Sequence, residues 1–571
     1  MSRRPALDID NLINPDDYAT YVAELWTTWD SLRSEWLEEK LELRNYLYAT
    51  DTKTTSNSKL PWSNSTTTPK LCQIYDNLVA NYHASIFPKD TYIQFIPGNE
   101  ESASLQKSRA VQAYMKSKNQ ASHFMEEIAK LLNDWVLYGV CFATTDFVRE
   151  YKTLENGEEI RGYVGPKTFR ISPNDIVFDP TVATFKDTPK VVRSLLSFAD
   201  VERMNPEIFD KIMYNRSQVS EVTQTKKSQA YIADGFGSIE NYYRSPHIEV
   251  LTFYGDIYDH ENRKLQKGRV LKIVDRAYVI SNEPQPSWLG DDAIYYSGWR
   301  HRPDNLWAMG PLDNLVGMQY RLDHLENMKA DIWDLTAGPM TKIRGDVDDF
   351  DVAPLAKVRV GVDGDVSFLT PDPVALAANQ DIAILQERME EYAGAPRQAM
   401  GFRTPGEKTK FEVQTLDNAA NRIFYHKAAQ FEREILERCQ MSMFEAAKRE
   451  MTEIDLVQVP DPLGLVIFQE ITKEDITANG TFRAVGSRYN QDQANRVQTL
   501  NTMLQVKAAM PDVGVHWSGK RIAELMAQEL EEDSLYEENV QVAETMETQG
   551  AMQDQQVEAQ DTQQIKAEFA L

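Results

Sequence analysis

The sequence predicts a mixed α+β fold that is mainly helical, and three observations support this prediction. Apolar residues recur every three or four positions from Val22 to Leu47, which is the spacing of one helix face. Short strand-like segments separated by turn residues fill the region from Val140 to Ile280. Helical patterns return from Gly310, and 408–451 contains no Gly or Pro. At 571 residues, the chain is long enough for more than one domain.

The N-terminal helices have recognisable start signals. Asn14-Pro15-Asp16-Asp17 places a capping residue, a proline and two acids in the order typical of a helix start. The predicted apolar stripe of this helix, which ends near Tyr48, consists of Val22, Leu25, Trp29, Leu32, Trp36, Leu43 and Leu47. A polar loop follows over 50–70. Two more helical patterns run from Pro69 to Ile86 and from Glu101 to Tyr138, with a break near Asn119.

The region after Tyr138 changes to strand periodicity. Strands are predicted at Phe169 to Phe178, Ile248 to Ile257 and Val270 to Ile280. The polar stretch from Ser217 to Tyr242 interrupts them and is predicted to be a long surface loop.

Two helices that flank a compact insert are predicted in the second half. The first starts at Pro311 with the stripe Leu315, Met318, Leu322, Leu325, Met328, Ile332 and Leu335. The insert, 337–372, has strand-like runs at Lys357 to Val362 and Val366 to Leu369. The second helix covers Pro373 to Ala393 and is followed by a segment rich in Gly and Pro.

The remainder of the chain begins with one unusually long helix. Uninterrupted helix over 408–451 would measure about 60 Å, and its predicted face is Leu416, Ala420, Ile423, Ala428, Phe431 and Ile435. A strand region from Val457 to Phe482 and two shorter helices, Gln491 to Met510 and Gly519 to Glu531, are expected next. The Gln-rich acidic tail, 541–571, is predicted to be disordered.

The charge balance limits the function classes. The chain has 61 Lys and Arg against 87 Asp and Glu, a formal charge of −26. This argues against tight nucleic-acid binding, which depends on neutralising phosphates with cations. An acidic wall suits a conduit that DNA slides through, but an ordinary acidic surface explains the charge equally well. No membrane span or signal peptide is evident, which predicts a cytoplasmic protein without membrane contact.

Motifs for catalysis or metal binding are weak throughout the sequence. Cys72, Cys141 and Cys439 lack CxxC spacing and are predicted to be small buried hydrophobes. GEKTK at 406–410 lacks the full phosphate-loop pattern, and the acids of GDVDDFDV at 345–352 do not fit a calcium-binding loop. No HExxH or GxSxG motif occurs. We therefore predict no catalytic residue, cofactor or metal.

Four segments carry a resemblance to a known family. They are FPKDTYIQFIPG at 87–98, FRISPNDIVFDPTV at 169–182, HIEVLTFYGDIYD at 247–259 and TPGEKTKFEVQTLDNAANRIF at 404–424. Each resembles a segment of the portal, or head-to-tail connector, proteins of tailed bacteriophages. Their order over about 340 residues is also similar to that of the family.

The resemblance implies a portal fold with wing, stem, clip and crown, assembling as a ring. The implied divisions are the first part of the wing at 1–309, the first stem helix at 310–336, the clip at 337–372, the second stem helix at 373–393, the tunnel loop at 394–408, the second part of the wing at 409–490 and the crown at 491–540. The tail, 541–571, lies beyond the crown.

The resemblance also implies a function and partners. The expected assembly is a dodecamer, formed in the host cytoplasm and located at the portal vertex of the virion capsid. Double-stranded DNA would pass through its channel during packaging and ejection, without sequence-specific contacts. The implied protein partners are the terminase large subunit, a tail adaptor and the major capsid protein. The chain itself would not be an enzyme, because the packaging ATPase and nuclease belong to the terminase.

Three sets of charged residues are candidates for contacting DNA, docking partners or lining the channel. Arg397, Arg403, Lys408 and Lys410 form a cationic patch that either grips DNA phosphates or pairs with acids of the next subunit. The insert carries charges for adaptor docking or inter-subunit pairing, namely Lys342, Arg344, Asp346, Asp348, Asp349, Asp351, Lys357 and Arg359. Asp323, Glu326 and Asp331 face either the channel or ordinary solvent.

Two alternative functions remain open on sequence grounds. The chain could be another virion assembly protein, such as a scaffold or adaptor, whose helices do not enclose DNA. It could instead be a metal-dependent nuclease that uses the acids of 346–351. Metal-dependent DNA cleavage would favour the nuclease, and rings with a central hole would favour the portal.

Overall fold

The described part of the chain combines helices and strands. In the computed structural model, the described residues are 15–47, 66–88, 92–98, 105–153, 159–217, 247–259, 264–285, 288–290, 292–337, 340–345, 359–369, 379–393, 422–452, 454–460, 466–486, 499–507, 519, 522, 523, 525 and 526. About 55% of them are helical and 29% are in strands, which confirms a mixed fold with more helix than strand. They divide into two compact units.

The first unit comprises Met1–Ile86, Lys118–Met451 and Thr481–Ala484, and the second comprises Phe87–Ser117, Thr452–Gly480 and Val485–Leu571. The α-helices in chain order are α1 (Pro15–Leu47), α2 (Lys70–Ile86), α3 (Leu105–Ala121), α4 (Phe124–Leu137), α5 (Phe198–Met204), α6 (Pro206–Ser217), α7 (Val316–Ala337), α8 (Asn379–Tyr392), α9 (Arg422–Phe431), α10 (Glu437–Glu450) and α11 (Lys473–Ile476).

The strands are also numbered in chain order. They are β1 (Ile93–Pro97), β2 (Val140–Thr153), β3 (Glu159–Ile171), β4 (Ile176–Phe178), β5 (Lys190–Ser197), β6 (His247–Asp259), β7 (Lys264–Val274), β8 (Tyr278–Pro284), β9 (Ile294–Gly298), β10 (Arg300–Arg302), β11 (Asn305–Met309), β12 (Met340–Arg344), β13 (Asp365–Leu369), β14 (Asp455–Pro460), β15 (Val466–Ile471) and β16 (Gly480–Ala484). Short 3-10 turns lie at Pro173–Asp175, Phe185–Asp187 and Asp313–Leu315.

Helix α1 confirms the predicted N-terminal helix but corrects its buried face. Leu32 is 58% exposed, whereas Trp26 is buried against the sheet. Arg33 and Lys40 also lie on the buried face. The Arg33 guanidinium donates to the carbonyl oxygens of three residues of the turn before β4, Pro173, Asn174 and Ile176. A stripe defined by apolar residues alone misses such positions, because a long cationic side chain is buried when its head group is fully bonded.

A five-stranded antiparallel sheet, in the order β4-β5-β6-β7-β8, forms the centre of the first unit. Trp26 and Trp29 of α1 pack on it beside Leu251 and Phe253. A second apolar cluster joins the sheet to α5 and α6, which were not predicted because their short apolar pattern was taken for strand. Most of the predicted loop from Ser217 to Tyr242 lies outside the described residues.

The prediction of one strand from Val270 to Ile280 is wrong, because a tight turn divides it into β7 and β8. Asp275 and Arg276 both have φ of 54°, although neither is Gly. A buried contact compensates this conformation: the Arg276 guanidinium donates to both carboxylate oxygens of Glu249, at 2.7 and 2.8 Å. The predicted strand from Phe169 to Phe178 is likewise divided, into β3, a 3-10 turn and β4.

A three-stranded antiparallel sheet, β3-β2-β9, lies under α4 and α10. Phe142, Phe178 and Phe185 pack together with Tyr296 and Trp307 beside it. Cys141 and Cys439 are buried in this region, as predicted, but Cys72 is partly exposed, which corrects that prediction. No disulfide joins these three described cysteines.

The second unit contains a β-hairpin in the region predicted to form strands. β14 pairs with β15 from Asp455↔Ile471 to Pro460↔Val466. The short helix α11 begins with a capping box, in which Thr472 and Asp475 each bond the other's backbone amide. Residues 499–507 are helical, within the predicted helix from Gln491 to Met510. The tail, 541–571, lies outside the described residues.

Candidate functional site

Helices α7 and α8 are joined through an antiparallel β-ribbon. β12 pairs with β13 from Met340↔Leu369 to Arg344↔Asp365. Because β12 follows α7 and β13 precedes α8 in the chain, the ribbon closes the insert between the two helices. The predicted strand at Val366 is confirmed, whereas β12 was not predicted. In the described part of Lys357 to Val362, Val360 forms an isolated β-bridge, but no residue belongs to an extended strand.

The other ends of α7 and α8 are brought together by two neighbouring residues of α2. Lys70 Nζ lies 2.5 Å from Glu390 Oε1, in the last turn of α8. The backbone amide of Leu71 donates to Gln319 Oε1, in the first turn of α7, at 3.3 Å. The end of α8 therefore lies beside the beginning of α7, and the two helices run in opposite directions.

One face of α7 binds the backbone of the segment that leads into α2. Gln319, Asp323 and Asn327, which we call the polar ladder, are spaced four residues apart and are almost completely buried. The amides of Thr66 and Thr68 donate to Asn327 Oδ1 and Asp323 Oδ1, at 2.7 and 2.9 Å. The side-chain amides of Asn327 and Gln319 donate to the carbonyl oxygens of the same two threonines, at 2.9 and 2.6 Å. These paired contacts hold residues 66–71 along α7.

The polar ladder changes the interpretation of the acids on this helix. Asp323 is completely buried and Asp331 is 8% exposed. Neither alternative, a channel-facing or a solvated position, fits Asp323, because its carboxylate accepts from Thr68 and from the Gln319 amide. Glu326 is only partly buried and forms a 3.7 Å ion pair with Lys329. A pattern of charges cannot reveal such contacts, since they depend on a segment about 250 residues distant in sequence.

The start of α7 is fixed by a second buried ion pair. Lys40 of α1 contacts the Asp313 carboxylate, and the other oxygen of Asp313 accepts from the Gly310 amide at 2.8 Å. Burial lowers the pKa of Lys40, and the adjacent Asp313 opposes that effect. The predicted helix start at Pro311 is thus displaced to Val316, after a 3-10 turn.

Large apolar side chains are exposed on both helices of the pair. Trp333 and Tyr392 are 56% and 61% exposed, and Tyr320 and Ile384 are also exposed. We call these four residues the outer apolar set. In the insert, Ile343 and Val362 are exposed as well. Surfaces that pack against another molecule carry exposed apolar side chains of this kind, and single exposed apolar residues are also common on monomers.

The predicted charged sites are only partly covered by the described residues. Lys342, Arg344 and Arg359 are exposed on the insert, with Lys342 and Arg344 in β12. The insert residues Asp346, Asp348, Asp349, Asp351 and Lys357 lie outside the described part. The same holds for the cationic patch of Arg397, Arg403, Lys408 and Lys410. Their proposed roles stay predictions.

The described part of the predicted long helix contains a π-helical turn. Glu432–Leu436 separates α9 from α10, so the predicted continuous α-helix is corrected over this part. Ala428, Phe431 and Ile435 are buried as predicted, whereas Ile423 is 63% exposed. Residues 408–421 lie outside the described part.

Side chains around the π turn bind the end of β9. Gln430 donates to the Gly298 carbonyl oxygen at 2.9 Å, and Ser297 Oγ donates to Glu434 Oε2 at 2.8 Å. Burial alone would raise the pKa of Glu434, but the nearby His301 and hydrogen bonds from Ser297 and Gln430 outweigh burial and lower that pKa. The π turn thus coincides with a polar contact between helix and sheet.

Sites for a metal or small ligand are sparse in the described part. It contains no group of three or more His, Cys, Asp and Glu able to hold a metal ion, and the acids of 346–351 lie outside it. A small pocket lies among Lys186, Lys190, Tyr254 and Asp292, but Lys190 and Asp292 already pair within it. Among the described helices, none is long and apolar enough to cross a membrane.

Sequence reasoning missed the residues that fix the helix pair. Gln319, Asp323 and Asn327 do carry a signal, because three polar residues spaced by four positions adjoin an apolar stripe. Lys70 and Glu390 carry no comparable signal, since lone charged residues in amphipathic helices are usually solvated. Comparison of the chain with models of known protein families gives no match, and comparison with curated proteins gives none either.

Proposed function

We propose that this chain is a portal-type ring subunit, which forms the DNA channel at one vertex of a tailed-phage capsid and the attachment site for the packaging motor and then the tail. The observation that carries the proposal is the pair of antiparallel helices α7 and α8. A β-ribbon joins them at one end, and contacts from Lys70 and Leu71 of α2 hold them together at the other. The order of segments that resemble portals adds to it.

The energetics of the helix pair support an assembly. A helix of 14 residues such as α8 is marginal alone in water and depends on tertiary contacts. Lys70 and the polar ladder supply such contacts on the inner side, while the outer apolar set stays exposed. A closed ring covers that set in every copy, because identical heterologous contacts close without leaving an open end.

In this proposal, 310–336 and 373–393 are the stem, 337–372 is the clip, and 394–408 is the tunnel loop. The dodecamer surrounds double-stranded DNA, which Arg397, Arg403, Lys408 and Lys410 contact through phosphates only. The exposed Lys342, Arg344 and Arg359 belong to the clip surface that docks the terminase large subunit and later the tail adaptor. The assembly site is the host cytoplasm, and the final location is the virion, beside the major capsid protein.

The test uses the outer apolar set. Native mass spectrometry of the full chain should detect a closed oligomer of about twelve copies. The double substitution Trp333→Ser/Tyr392→Ser should shift it to monomers, whereas Tyr214→Ser, an exposed aromatic of α6, should leave it intact. A wild-type chain that stays monomeric at micromolar concentration would sink the proposal.

A further inference from the structure

The β10–β11 hairpin displays positive charge in a strongly acidic chain. Arg300, His301 and Arg302 are consecutive, and all three are exposed. A turn at Pro303 and Asp304 leads back into β11. The surrounding protein has a formal charge of −26, so a cationic surface here is unusual for the chain.

The two arginines have no carboxylate partner among the described residues. Arg300 lies over the Trp299 ring, with its guanidinium carbon 5.3 Å from the ring centroid, and neither arginine forms an ion pair with another described residue. Lys427 adds a further cation, since its Nζ donates to the Trp299 carbonyl oxygen and lies 4.8 Å from the same ring. Burial, and then the neighbouring Arg300, lower the pKa of Lys427. The positive charges are therefore close enough to repel one another.

The hairpin holds these charges on a rigid support. Gln430 Nε2 lies 2.9 Å from both the Gly298 carbonyl oxygen and His301 Nε2. Tyr296 Oη donates to the Leu306 carbonyl oxygen at 2.6 Å. A Cβ atom at Gly298 would lie 2.7 Å from the Ala308 Cβ, so only glycine fits at this position of the strand. Little ordering is needed before a partner binds, which favours affinity.

Two classes of partner could bind this cationic surface, an acidic protein or a nucleic acid, and the composition of the surface favours the nucleic acid. The large apolar side chains of the hairpin, Trp299 and Trp307, are buried, so they offer a protein partner no apolar centre. Protein interfaces obtain much of their affinity from such a centre, whereas non-specific binding to DNA phosphates depends mainly on cations. Arg300 and Arg302 are two positions apart in β10, both are exposed, and the pairing with β11 shifts register between them.

We propose that Arg300 and Arg302 bind phosphates of double-stranded DNA without reading its bases. The inference rests on the proposed function, and it places a DNA contact on the β10–β11 hairpin, outside the cationic segment 394–410. Lys427 contributes to the local potential but keeps its bond to Trp299. Two phosphate contacts on an otherwise acidic protein give weak binding that depends strongly on salt.

Fluorescence anisotropy of the full chain with a mixed-sequence duplex of about 30 base pairs, in salt from about 50 to 200 mM, tests this inference. The double substitution Arg300→Gln/Arg302→Gln should reduce the slope of log affinity against log salt by about two. Arg44→Gln/Arg203→Gln removes two exposed arginines elsewhere in the same unit and should leave the slope unchanged. Equal slopes for the wild type and the hairpin variant would overturn the inference.

Native mass spectrometry of the same samples separates the other outcomes. If the hairpin variant loses its oligomer while its salt slope is unchanged, the hairpin contacts another copy and the DNA inference is wrong. If the wild type forms rings but shows no salt-dependent DNA binding, the hairpin inference fails while the ring proposal stands. If the wild type forms no ring, the proposed function fails, and any change of slope in the hairpin variant then reports on the DNA contact alone.

Discussion

Lys70 Nζ lies 2.5 Å from Glu390 Oε1, and the two side chains are 10% and 6% exposed. This ion pair joins α2 to the last turn of α8, while the adjacent Leu71 amide binds α7. Two consecutive residues of α2 thus bind the ends of both helices that lie away from the β-ribbon.

The Lys70–Glu390 pair leads to a stability prediction. Glu390→Gln should lower the free energy of unfolding by about 3–5 kcal/mol, because it leaves a buried ammonium without its counter-charge. The paired replacement Lys70→Met/Glu390→Leu should recover most of that loss. Glu391→Gln, at the exposed neighbouring position, serves as control. Chemical denaturation of each full-length variant measures the effect, and a Glu390→Gln midpoint equal to that of Glu391→Gln would contradict it.

The polar ladder leads to a local prediction at residue resolution. Asn327→Ala removes both contacts to Thr66 and should cost about 1–3 kcal/mol. Amide hydrogen exchange should accelerate at Thr66 more than at Thr68, because Asp323 still accepts from Thr68. Asn314→Ala, at an exposed position before α7, is the matched control. Unchanged exchange at Thr66 would show that the ladder does not hold this segment.

The π turn leads to a pH prediction through Glu434. Its native pKa is lowered below the ordinary 4.5 because the nearby His301 and hydrogen bonds from Ser297 and Gln430 outweigh burial. The resulting stabilisation is fully present above the unfolded pKa, and it is lost as the pH falls through the lower native pKa. The stability difference between wild type and Glu434→Gln should therefore shrink below about pH 4.5. Denaturation curves at several pH values, with Glu38→Gln as an exposed control, measure this trend; a constant difference argues against it.

The cysteines lead to a labelling prediction. Burial raises the pKa of the Cys141 thiol and raises that of Cys439 to about 12. Partial burial and the neighbouring Asp76 also raise the pKa of the Cys72 thiol, but Cys72 is partly exposed. At pH 8, a thiol reagent should label Cys72 faster than the other two, which react only as the protein opens. Mass spectrometry of Cys72→Ser should show loss of the fast site. Rapid labelling of Cys141 in the native chain would contradict the buried placement.

The tunnel-loop hypothesis leads to a functional prediction. Replacing Arg397, Arg403, Lys408 and Lys410 together with Gln should weaken DNA retention in assembled heads, because phosphate contacts are lost. Replacing four exposed cations outside that segment with Gln is the control for net charge, namely Arg44, Lys186, Arg203 and Lys211. Packaging assays measure the amount of DNA retained. Unchanged packaging and retention in the quadruple variant would dispose of the hypothesis.

The sequence alone predicts elements whose residues interact mainly with near neighbours. Helix α1 runs from Pro15 to Leu47 as expected, since its start signal and apolar period are local. The turn at Asp275 and Arg276 was missed, because its backbone is stabilised by Glu249, on a different strand. Helices α5 and α6 were missed because short apolar patterns do not distinguish helix from strand.

The candidate site was predictable only in outline. The two helices around the insert follow from periodicity and from Gly and Pro positions, and α7 and α8 are present within the predicted spans. Their buried polar contacts join residues that are about 250 and 320 positions apart in sequence, so no local pattern reveals them. The burial of Asp323 is the clearest example, because an acid on an amphipathic helix is normally expected in solvent.

The most direct measurement is electron microscopy of the purified full-length chain, with class averages viewed down the symmetry axis. The proposal predicts closed rings with a central hole wide enough for a DNA duplex, about 20 Å or more, because α7 and α8 of many copies surround the channel. Monomers, open filaments, or closed assemblies without an axial hole would contradict it.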